Sequence, residues 1–420
     1  MSRIQELIDD LCPEGVPFRP LSEIAETITG LSGKTKADFS GGNARFASYK
    51  NIFANPSLDL SANDFVKVAS SEKQNSLKLG DLLVTGSSES RDEVGFTSVV
   101  TSVPQEPIYL NSFCFAVRWH SEHMLKANYV KHLFRSEAIR EQIRAASNGV
   151  TRINISKPKF MKIEVPIPPI AVQEEIVRIL DNFKELEAEL EAVLAAELAA
   201  RKQQLIEVRR QLIWGEAPLD NLTPLGEVCE VRSGWGFPIR DQGNVVGDLP
   251  FYKVSDMNHA GNEIRMNLAN NYISLSTGKK LGITPAPAGT VVFPKIGAAV
   301  ATNKKRVLTQ DSAFDNNVMG LVPGPRVNSS FLLHFMNTLD LASLAMDSGA
   351  VPSIRKSEIE RLRIPLPTIE MQLKIAEVLD HFQDLIFGVS AGLMTEIKSR
   401  RTQYEHYRDQ LFNLSPWKAA

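Results

Sequence analysis

Two stretches of the chain carry apolar residues at steps of three and four, the spacing that aligns side chains along one face of an α-helix. The first stretch has this pattern at Ile176, Leu180, Phe183, Leu186, Leu190, Leu194, Leu198, Leu205, Val208 and Leu212. The second has it 199 residues later, at Ile375, Leu379, Phe382, Leu385, Val389, Leu393, Ile397, Tyr404, Tyr407 and Leu411. Over about 40 residues, each pattern predicts a helix of roughly 60 Å.

Prolines precede both predicted helices. Pro166 and Pro168 stand before the first, and Pro365 and Pro367 before the second. Because proline is incompatible with a helix interior, a globular lobe is expected to end at each pair.

A long helix with one apolar stripe needs a partner, and the other copy is the simplest one. We therefore predict an antiparallel coiled coil that spaces the two lobes apart. The expected packing positions are Ile176, Leu180, Phe183, Leu190, Leu194, Leu198, Ile375, Leu379, Phe382, Val389, Leu393 and Ile397. Gly388 and Gly392 lie on one face of the second helix, which indicates either close approach of another backbone or a locally weak helix.

The lobes ahead of the helices also repeat, with an offset that varies. Residues 19–26 align with residues 223–230 at an offset of 204, Tyr49-Lys50 with Tyr252-Lys253 at 203, Gly80 with Gly289 at 209, and Asn111 with Asn316 at 205. The expected fold class is mixed α and β, with two duplicated α/β lobes separated by the two long helices. The expected segments are 1–163 (first lobe), 164–217 (central helix), 218–363 (second lobe) and 364–420 (C-terminal helix).

Composition adds limits to this architecture. A chain of 420 residues with 43% hydrophobic and 23% charged residues is long enough for several globular units. It contains no apolar run long enough to span a membrane and no leader resembling a signal peptide. Cys12, Cys114 and Cys229 are far apart, which favours a reducing cytoplasm without disulfides or structural zinc. The net charge of −2 permits DNA binding but does not indicate it.

Signs of catalysis are missing from the sequence. Gly30-Leu-Ser-Gly-Lys34-Thr35 ends like a phosphate-binding loop, but it has two residues between its glycines where that motif needs four. The sequence has no Asp/Asn-Pro-Pro-aromatic segment and no GxGxxG, and its histidines form no HExxH. We therefore expect a binding protein without catalytic residues, a metal or a cofactor of its own.

Taken together, these features resemble the specificity subunits of type I restriction–modification systems over essentially the whole chain. The resemblance rests on the opening LIDDLCPEGVPFRPLSEIAE, the twin segments at Val165 and Arg363, the Gly-Asp-Leu-Leu-Val segment, the two asparagines and the duplication. It implies a non-catalytic cytoplasmic subunit whose two target-recognition lobes each read half of a bipartite DNA sequence.

The resemblance also implies partners. Two modification subunits, which use S-adenosylmethionine, would dock on this chain and methylate adenines, and a restriction/translocase subunit would join them. In the family, the length of the central helix sets the gap between half-sites, which draws attention to Ala188–Ala200.

Base and phosphate contacts need polar or basic side chains on loops. The candidates in the first lobe are Lys34, Lys36, Lys50, Ser87, Ser88, Arg91 and Arg152. Those in the second lobe are Lys253, Lys295, Asn303, Lys304, Lys305, Arg306, Arg355 and Lys356. Three other interpretations stay open at this point: a related system with a fused restriction–modification partner, a self-standing enzyme, and a protein-binding structural adaptor.

The run from Asn303 to Arg306 generates a first prediction. Replacing Lys304 and Lys305 together by alanine is expected to weaken DNA binding across all sequences and to flatten its salt dependence, because phosphate contacts release counterions. Binding measured at several salt concentrations tests this, and unchanged binding throughout would remove the run from the candidate interface.

Overall fold

The computed structural model describes residues 3–121, 124–215, 222–345 and 352–416. These residues form two compact units. Unit 1 combines Met1–Ala192 with Met394–Ala420, and unit 2 is Val193–Leu393. Each long helix contributes one part to each unit, so the division into four consecutive segments stays a prediction.

The first half of the chain alternates short strands with short helices and then enters the first long helix. Its elements are α1 (Arg3–Leu11), β1 (Phe18–Pro20), α2 (Leu21–Ile24), β2 (Ala25–Thr29), β3 (Ala44–Ala47), α3 (Tyr49–Ala54), β4 (Phe65–Val66), β5 (Leu82–Thr85), β6 (Ser87–Ser88), β7 (Thr97–Val99), β8 (Ile108–Leu110), β9 (Cys114–Trp119), α4 (Ala127–Leu133), α5 (Glu137–Ala145), β10 (Ser147–Asn148), β11 (Ile153–Ile155), α6 (Lys157–Phe160), β12 (Glu164–Pro166) and α7 (Ile170–Trp214).

The second half follows a broadly similar order of strands and helices and ends in the second long helix. Its elements are β13 (Leu222–Pro224), α8 (Leu225–Val228), β14 (Cys229–Ser233), β15 (Leu249–Tyr252), β16 (Arg265–Met266), β17 (Tyr272–Ile273), α9 (Leu275–Lys280), β18 (Val291–Pro294), β19 (Arg306–Leu308), β20 (Ala313–Phe314), β21 (Val318–Pro323), α10 (Ser329–Met336), α11 (Leu341–Leu344), α12 (Lys356–Arg361), β22 (Arg363–Pro365) and α13 (Ile369–Phe412).

Each unit is built on a largely antiparallel sheet with helices packed against it; in unit 2, β16 joins this sheet parallel to β19. In unit 1 the described strands run in the order β2–β9–β5–β7, and a second sheet, β4–β3–β8, contains a parallel pair. In unit 2 the corresponding orders are β14–β21–β18–β19–β16 and β17–β15–β20. Every residue of β5 and of β18 is buried, as expected for strands at the centre of a core. The predicted mixed α and β fold class is confirmed.

Strand register shows how far the repeat extends. β1 pairs with β12, and β13 pairs with β22, with each paired residue displaced by 204 or 199 positions between the copies. β5 and β18 are displaced by 209, and Gly80 and Gly289 before them both have φ of 86°. A positive φ favours glycine, which explains why this residue recurs ahead of the central strand.

Two alignments predicted from the sequence are wrong. The backbone N–H of Cys114 donates to the carbonyl of Asn111, and that of Val318 donates in the same way to Asp315. Asn111 therefore corresponds to Asp315 and not to Asn316. β3 and β15 end at Ala47 and Tyr252, whose parallel-strand partners are Leu110 and Phe314. Lys50 and Lys253 consequently do not occupy matching positions. The sequence alignment was two residues out of register, because short apolar strands match almost equally well after such a shift.

Gly30 and Gly234 also occupy matching positions, for a steric reason. A Cβ at Gly30 would lie 2.2 Å from the carbonyl oxygen of Asn111, and one at Gly234 would lie 1.9 Å from that of Asp315. Only glycine permits such close approach of two backbones. This packing accounts for the first glycine of the segment that ends like a phosphate-binding loop.

The long helices run antiparallel within each unit. In unit 1, Phe183 of α7 stacks on Tyr407 of α13 with ring centroids 5.4 Å apart, and Arg401 lies 3.4 Å from Glu187. In unit 2, the guanidinium of Arg209 donates to the Gln383 side chain at 3.0 Å.

Burial along the helices is uneven. Ile176, Leu180 and Leu379 are fully buried. The partly buried members of the predicted packing set are Phe183, Leu190, Leu194, Leu198, Ile375, Phe382, Leu393 and Ile397. Val389 is 45% exposed. A Cβ built at Gly388 or Gly392 meets no described atom within 4 Å, so the close-approach interpretation of these glycines is wrong.

A buried glutamine fixes the start of each long helix to its lobe. The Gln173 amide donates to the carbonyls of Met124 and Pro168, and its oxygen accepts from the Lys126 N–H at 2.9 Å. Gln372 makes the same three bonds in unit 2, to Arg326, Pro367 and Asn328. Both glutamines are fully buried, so each amide supplies partners that these backbone groups would otherwise lack.

A histidine and an aspartate form a second repeated contact, between the helix after the sheet and the long helix. The Nε2–H of His132 donates to Asp181 at 2.7 Å, and that of His334 donates to Asp380 at 3.0 Å. Tyr404 donates to Nδ1 of His132, and Arg209 donates to Nδ1 of His334. Burial lowers the pKa of both histidines, which favours the neutral ring that this pattern of donors requires.

The glutamine contact generates a stability prediction. Gln173→Met is expected to lower the free energy of unfolding by about 2–3 kcal/mol, because it leaves the buried carbonyl of Pro168 unpaired and removes two partly buried hydrogen bonds. Urea denaturation measures this change. The matched control is Gln204→Met, at an exposed position on the same helix. Equal losses in both variants would contradict the anchoring role of the amide.

Candidate nucleic-acid interface

Three of the candidate DNA-contacting residues come together in the first lobe. Strand β11 pairs with β6, which brings Arg152 beside Ser87. The Arg152 guanidinium donates to the Ser87 hydroxyl at 3.1 Å and lies over the Phe113 ring at 5.9 Å. We call the residues Tyr49, Ser87, Ser88, Phe113 and Arg152 the first polar surface.

Tyr49 supports this surface from the side. It begins α3, whose N-cap Ser48 accepts from the Asn51 N–H. Its hydroxyl donates to the carbonyl of Ser87 at 2.8 Å, and burial raises its pKa. Arg152 at the edge is exposed, while Ser87 and Ser88 are half-buried. The surface therefore offers hydroxyl groups beside one exposed cation at its rim, which suits reading of a polar edge.

The other first-lobe candidates lie outside this surface. Lys34 pairs with Glu72 at 2.5 Å, and this contact lowers the pKa of Glu72 to about 2. Lys36, Lys50 and Arg91 are exposed. Their DNA contacts stay predictions.

A corresponding group in the second lobe lies directly after β18, where the chain pairs with the segment at Ser353 and Ile354. The carbonyl of Lys295 accepts from the Ile354 N–H at 2.8 Å, as that of Gly86 does from Ile155 in the first lobe. The backbone N–H of Lys295 donates to the carbonyl of Asn317. We call Gln242, Lys253, Lys295, Asp315 and Asn317 the second polar surface.

Charge distinguishes the second polar surface from the first. Lys253 donates to the Gln242 side chain at 2.7 Å and lies 6.0 Å from the Phe237 ring. Burial raises the pKa of Asp315, although hydrogen bonds from Asn317 and the charge of Lys253 act in the opposite direction. Burial also lowers the pKa of Lys295. The second polar surface thus contains two amines around a shielded carboxyl group, whereas the first contains hydroxyls, aromatic rings and one guanidinium.

Two further second-lobe candidates follow Ile354. Arg355 is exposed, and Lys356 begins α12 and lies 3.5 Å from Glu360. Both stay predicted DNA contacts.

The run from Asn303 to Arg306 is largely built into the lobe. Asn303 adopts a left-handed backbone with φ of 54°, and its side chain accepts from the Leu341 N–H. Lys304 donates to Asn258, and Arg306 donates to the carbonyl of Met257. Lys305 is 2% exposed and donates to Asn303 and to the carbonyl of Leu339. Within this structure, Lys305 is the member of the run with the least access to DNA.

Sequence reasoning missed Tyr49, Phe113 and Asp315. Tyr49 was noted only as a repeated aromatic, and Asp315 was displaced by the one-residue error in the alignment of Asn111. The signal for Phe113 was its place in Asn111-Ser-Phe113, a tight connection between strands, where the Asn111 side chain accepts from the Phe113 N–H at 2.8 Å. The sequence places this ring in a tight turn, but only the tertiary structure shows that the ring is exposed.

Within the described ranges, no group of three His, Cys, Asp or Glu side chains could hold a metal ion. No helix among those residues is long and apolar enough to cross a membrane. Cys12, Cys114 and Cys229 are buried and unpaired with each other.

Lys305 generates a prediction about pH. Burial lowers its pKa to about 8, while the unfolded chain keeps an ordinary lysine pKa of about 10.4. The unfolded state therefore binds more protons between these values, and the stability contributed by this position rises with pH across that window, by about 1–3 kcal/mol. Below pH 8, Lys305 is charged in the folded state, and the cost of burying that charge lowers the free energy of unfolding in full.

Comparing wild type with Lys305→Met isolates this effect from other titrating groups. The unfolding free energy of wild type relative to the variant should increase from pH 8 to pH 10. Lys304→Met, at the neighbouring half-buried position, is the matched control. A constant difference across the window would show that Lys305 titrates normally in the folded state.

Comparison with known proteins agrees with this architecture. The chain is 28% identical over 276 residues to a putative type I restriction enzyme specificity subunit of Haemophilus influenzae, covering 64% of this chain and 68% of the relative. It is 29% identical over 276 residues to the EcoR124I/EcoR124II specificity subunit of Escherichia coli, covering 62% of this chain and 65% of the relative.

Solved structures share the fold. A chain from a structure on complex assembly and conformational transition of the type I R-M system matches with a TM-score of 0.71 at 16% identity, covering 95% of this chain and 97% of that chain. The HsdS subunit of Thermoanaerobacter tengcongensis matches with a TM-score of 0.55 at 16% identity and the same coverage. The family model for the type I restriction modification DNA specificity domain matches twice, at residues 13–200 and 221–399. The chain therefore belongs to the family of type I restriction–modification DNA specificity proteins.

Proposed function

We propose that this chain is the subunit that recognises DNA in a type I restriction–modification complex, with each lobe reading one half of a bipartite target. The observation that carries this proposal is the contrast between the lobes. The β1/β12 and β13/β22 pairs, the close glycine contacts and the glutamine anchors occupy corresponding positions in the two lobes. Their polar surfaces differ, with hydroxyls and aromatic rings in one and amines around Asp315 in the other.

Such a contrast is expected of two modules that share a scaffold and read different bases. Base discrimination depends on the donors and acceptors that reach the groove, while phosphate contacts add affinity at any sequence. Ser87, Ser88 and Arg152 are the proposed reading residues of the first lobe, and Lys253 and Lys295 those of the second. Lys36, Lys50, Arg91, Lys304 and Arg355 are proposed phosphate contacts.

The proposal includes partners that supply the chemistry. Modification subunits bound to this chain would methylate adenine with S-adenosylmethionine, and a restriction/translocase subunit would join them on the same scaffold. The chain itself would select the site and hold the enzymes there, in the cytoplasm where the DNA lies. The paired helices α7 and α13 offer the surface for this assembly.

The test is to express the chain with its modification subunit and to map adenine methylation across the genome, omitting this chain as the control. A new two-part motif with a fixed gap is expected only when the chain is present. Co-purification of both proteins without new methylation would contradict DNA reading and favour an adaptor role.

Single substitutions then assign each half of the motif to a lobe. Arg152→Ala should relax one half and leave the other intact, and Lys295→Ala should do the reverse, since one base contact contributes about 1–3 kcal/mol of discrimination. Methylation at near-match sites measures the change. Arg361→Ala, whose side chain is 78% exposed, is the matched control. Loss of both halves in either variant would indicate unfolding or a shared role.

A further inference from the structure

A cavity of about 600 Å³ opens within the first polar surface. Its size falls in the range of pockets that hold small organic ligands. Three aromatic rings line it: Tyr49, Phe53 and Phe113. Tyr49 and Phe53 are nearly parallel, with ring planes 16° apart and centroids 6.1 Å apart.

Phe113 is the unusual member of this wall. It is 63% exposed, although a phenylalanine side chain gains stability when it leaves water. Its backbone N–H is held by the Asn111 side chain, and the Arg152 guanidinium lies over its ring. A ring fixed in place and left in water is suited to stacking against a flat partner that arrives from outside.

The charges around the cavity decide which flat partner fits. Glu89 and Glu93 line it together with Ser87, Ser88 and Thr151. Two carboxylates disfavour a phosphate or any other anion inside the cavity. They are good acceptors for an exocyclic amino group, which cytosine carries at N4 and adenine at N6. Arg152 is the cation at the rim of the cavity, where it can donate to the edge of a neighbouring base.

We propose that this cavity receives one DNA base, an adenine or a cytosine turned out of the duplex within the half-site of the first lobe. The base stacks against the Phe113 ring and donates its amino group to Glu89 and Glu93, while Arg152 reads the base beside it. This inference rests on the proposed function, since it needs the lobe to bind DNA.

The second lobe provides an internal contrast. The register places Asn317 where the first lobe has Phe113, and Ile296 where it has Ser87. Neither can supply the exposed ring or the hydroxyl. An unstacked base is therefore expected in one half-site only.

The experiment uses the full chain assembled with its modification subunit. Selection from a randomised duplex pool first identifies both half-sites. Each base pair is then replaced by a mismatch, because an enzyme or binding protein that turns a base out binds more tightly when that base is already unpaired. Wild type is compared with Phe113→Ala, and with Phe65→Ala as the control.

Phe65 is a close match for this purpose. It is partly exposed, and Arg45 lies over its ring at 5.0 Å, but it belongs to β4 and does not line the cavity. Loss of its ring removes an Arg–Phe pair of the same kind from another surface. If Phe113→Ala still selects the second-lobe half-site from the duplex pool, the variant is folded.

The expected result is one adenine or cytosine position in the first-lobe half-site where a mismatch tightens binding about tenfold. This gain should persist in Phe65→Ala and disappear in Phe113→Ala. If the modification subunit turns the base out instead, the mismatch tightens binding equally in wild type and in Phe113→Ala, and this outcome contradicts the base cavity. Recovery of both half-sites without a Phe113-dependent gain overturns the base cavity and leaves the proposed function standing. Failure to select any half-site overturns both.

Discussion

A fully buried glutamine amide ties each lobe to the start of its long helix. Gln173 and Gln372 each satisfy two carbonyls and one N–H there. An unpaired group in such a place would cost more than an average hydrogen bond contributes. The amide thereby holds the start of the long helix against the lobe. Further along each long helix, Asp181 of α7 bonds to His132 of α4, and Asp380 of α13 bonds to His334 of α10.

With the frame fixed in this way, surface residues can vary without disturbing it. The two lobes share residues at positions where the backbone restricts the side chain. These are the glycines where backbones nearly touch, the glycine with positive φ before the central strand, and the anchoring amides. The residues that differ lie around β6 and β11 in the first lobe. In the second lobe they lie around the loop after β18, where Ile296 pairs with Ser353. This separation of frame and reading surface is what a duplicated recognition module requires.

The electrostatics of the polar surfaces favour selectivity over general attraction to DNA. Carboxyl groups stand beside the cations in both lobes, Glu89 and Glu93 near Arg152 and Asp315 near Lys253. These carboxyl groups reduce non-specific affinity for phosphates and add acceptors for base amino groups. A chain with a net charge of −2 can therefore serve as a DNA reader when partner proteins supply part of the affinity.

The sequence by itself determined the duplication, the two long helices and the prolines before them, because hydrophobic spacing and proline sterics act locally. It did not determine which residues share a surface. Asn111 was matched to the wrong residue, and Lys50 was paired with Lys253, because offsets within short strands are set by backbone hydrogen bonds between distant segments. The burial of Lys305, the open space at Gly388 and Gly392, and the exposed ring of Phe113 were likewise decided by tertiary packing. Whether a lysine faces water or a carbonyl depends on neighbours that lie far away in the chain.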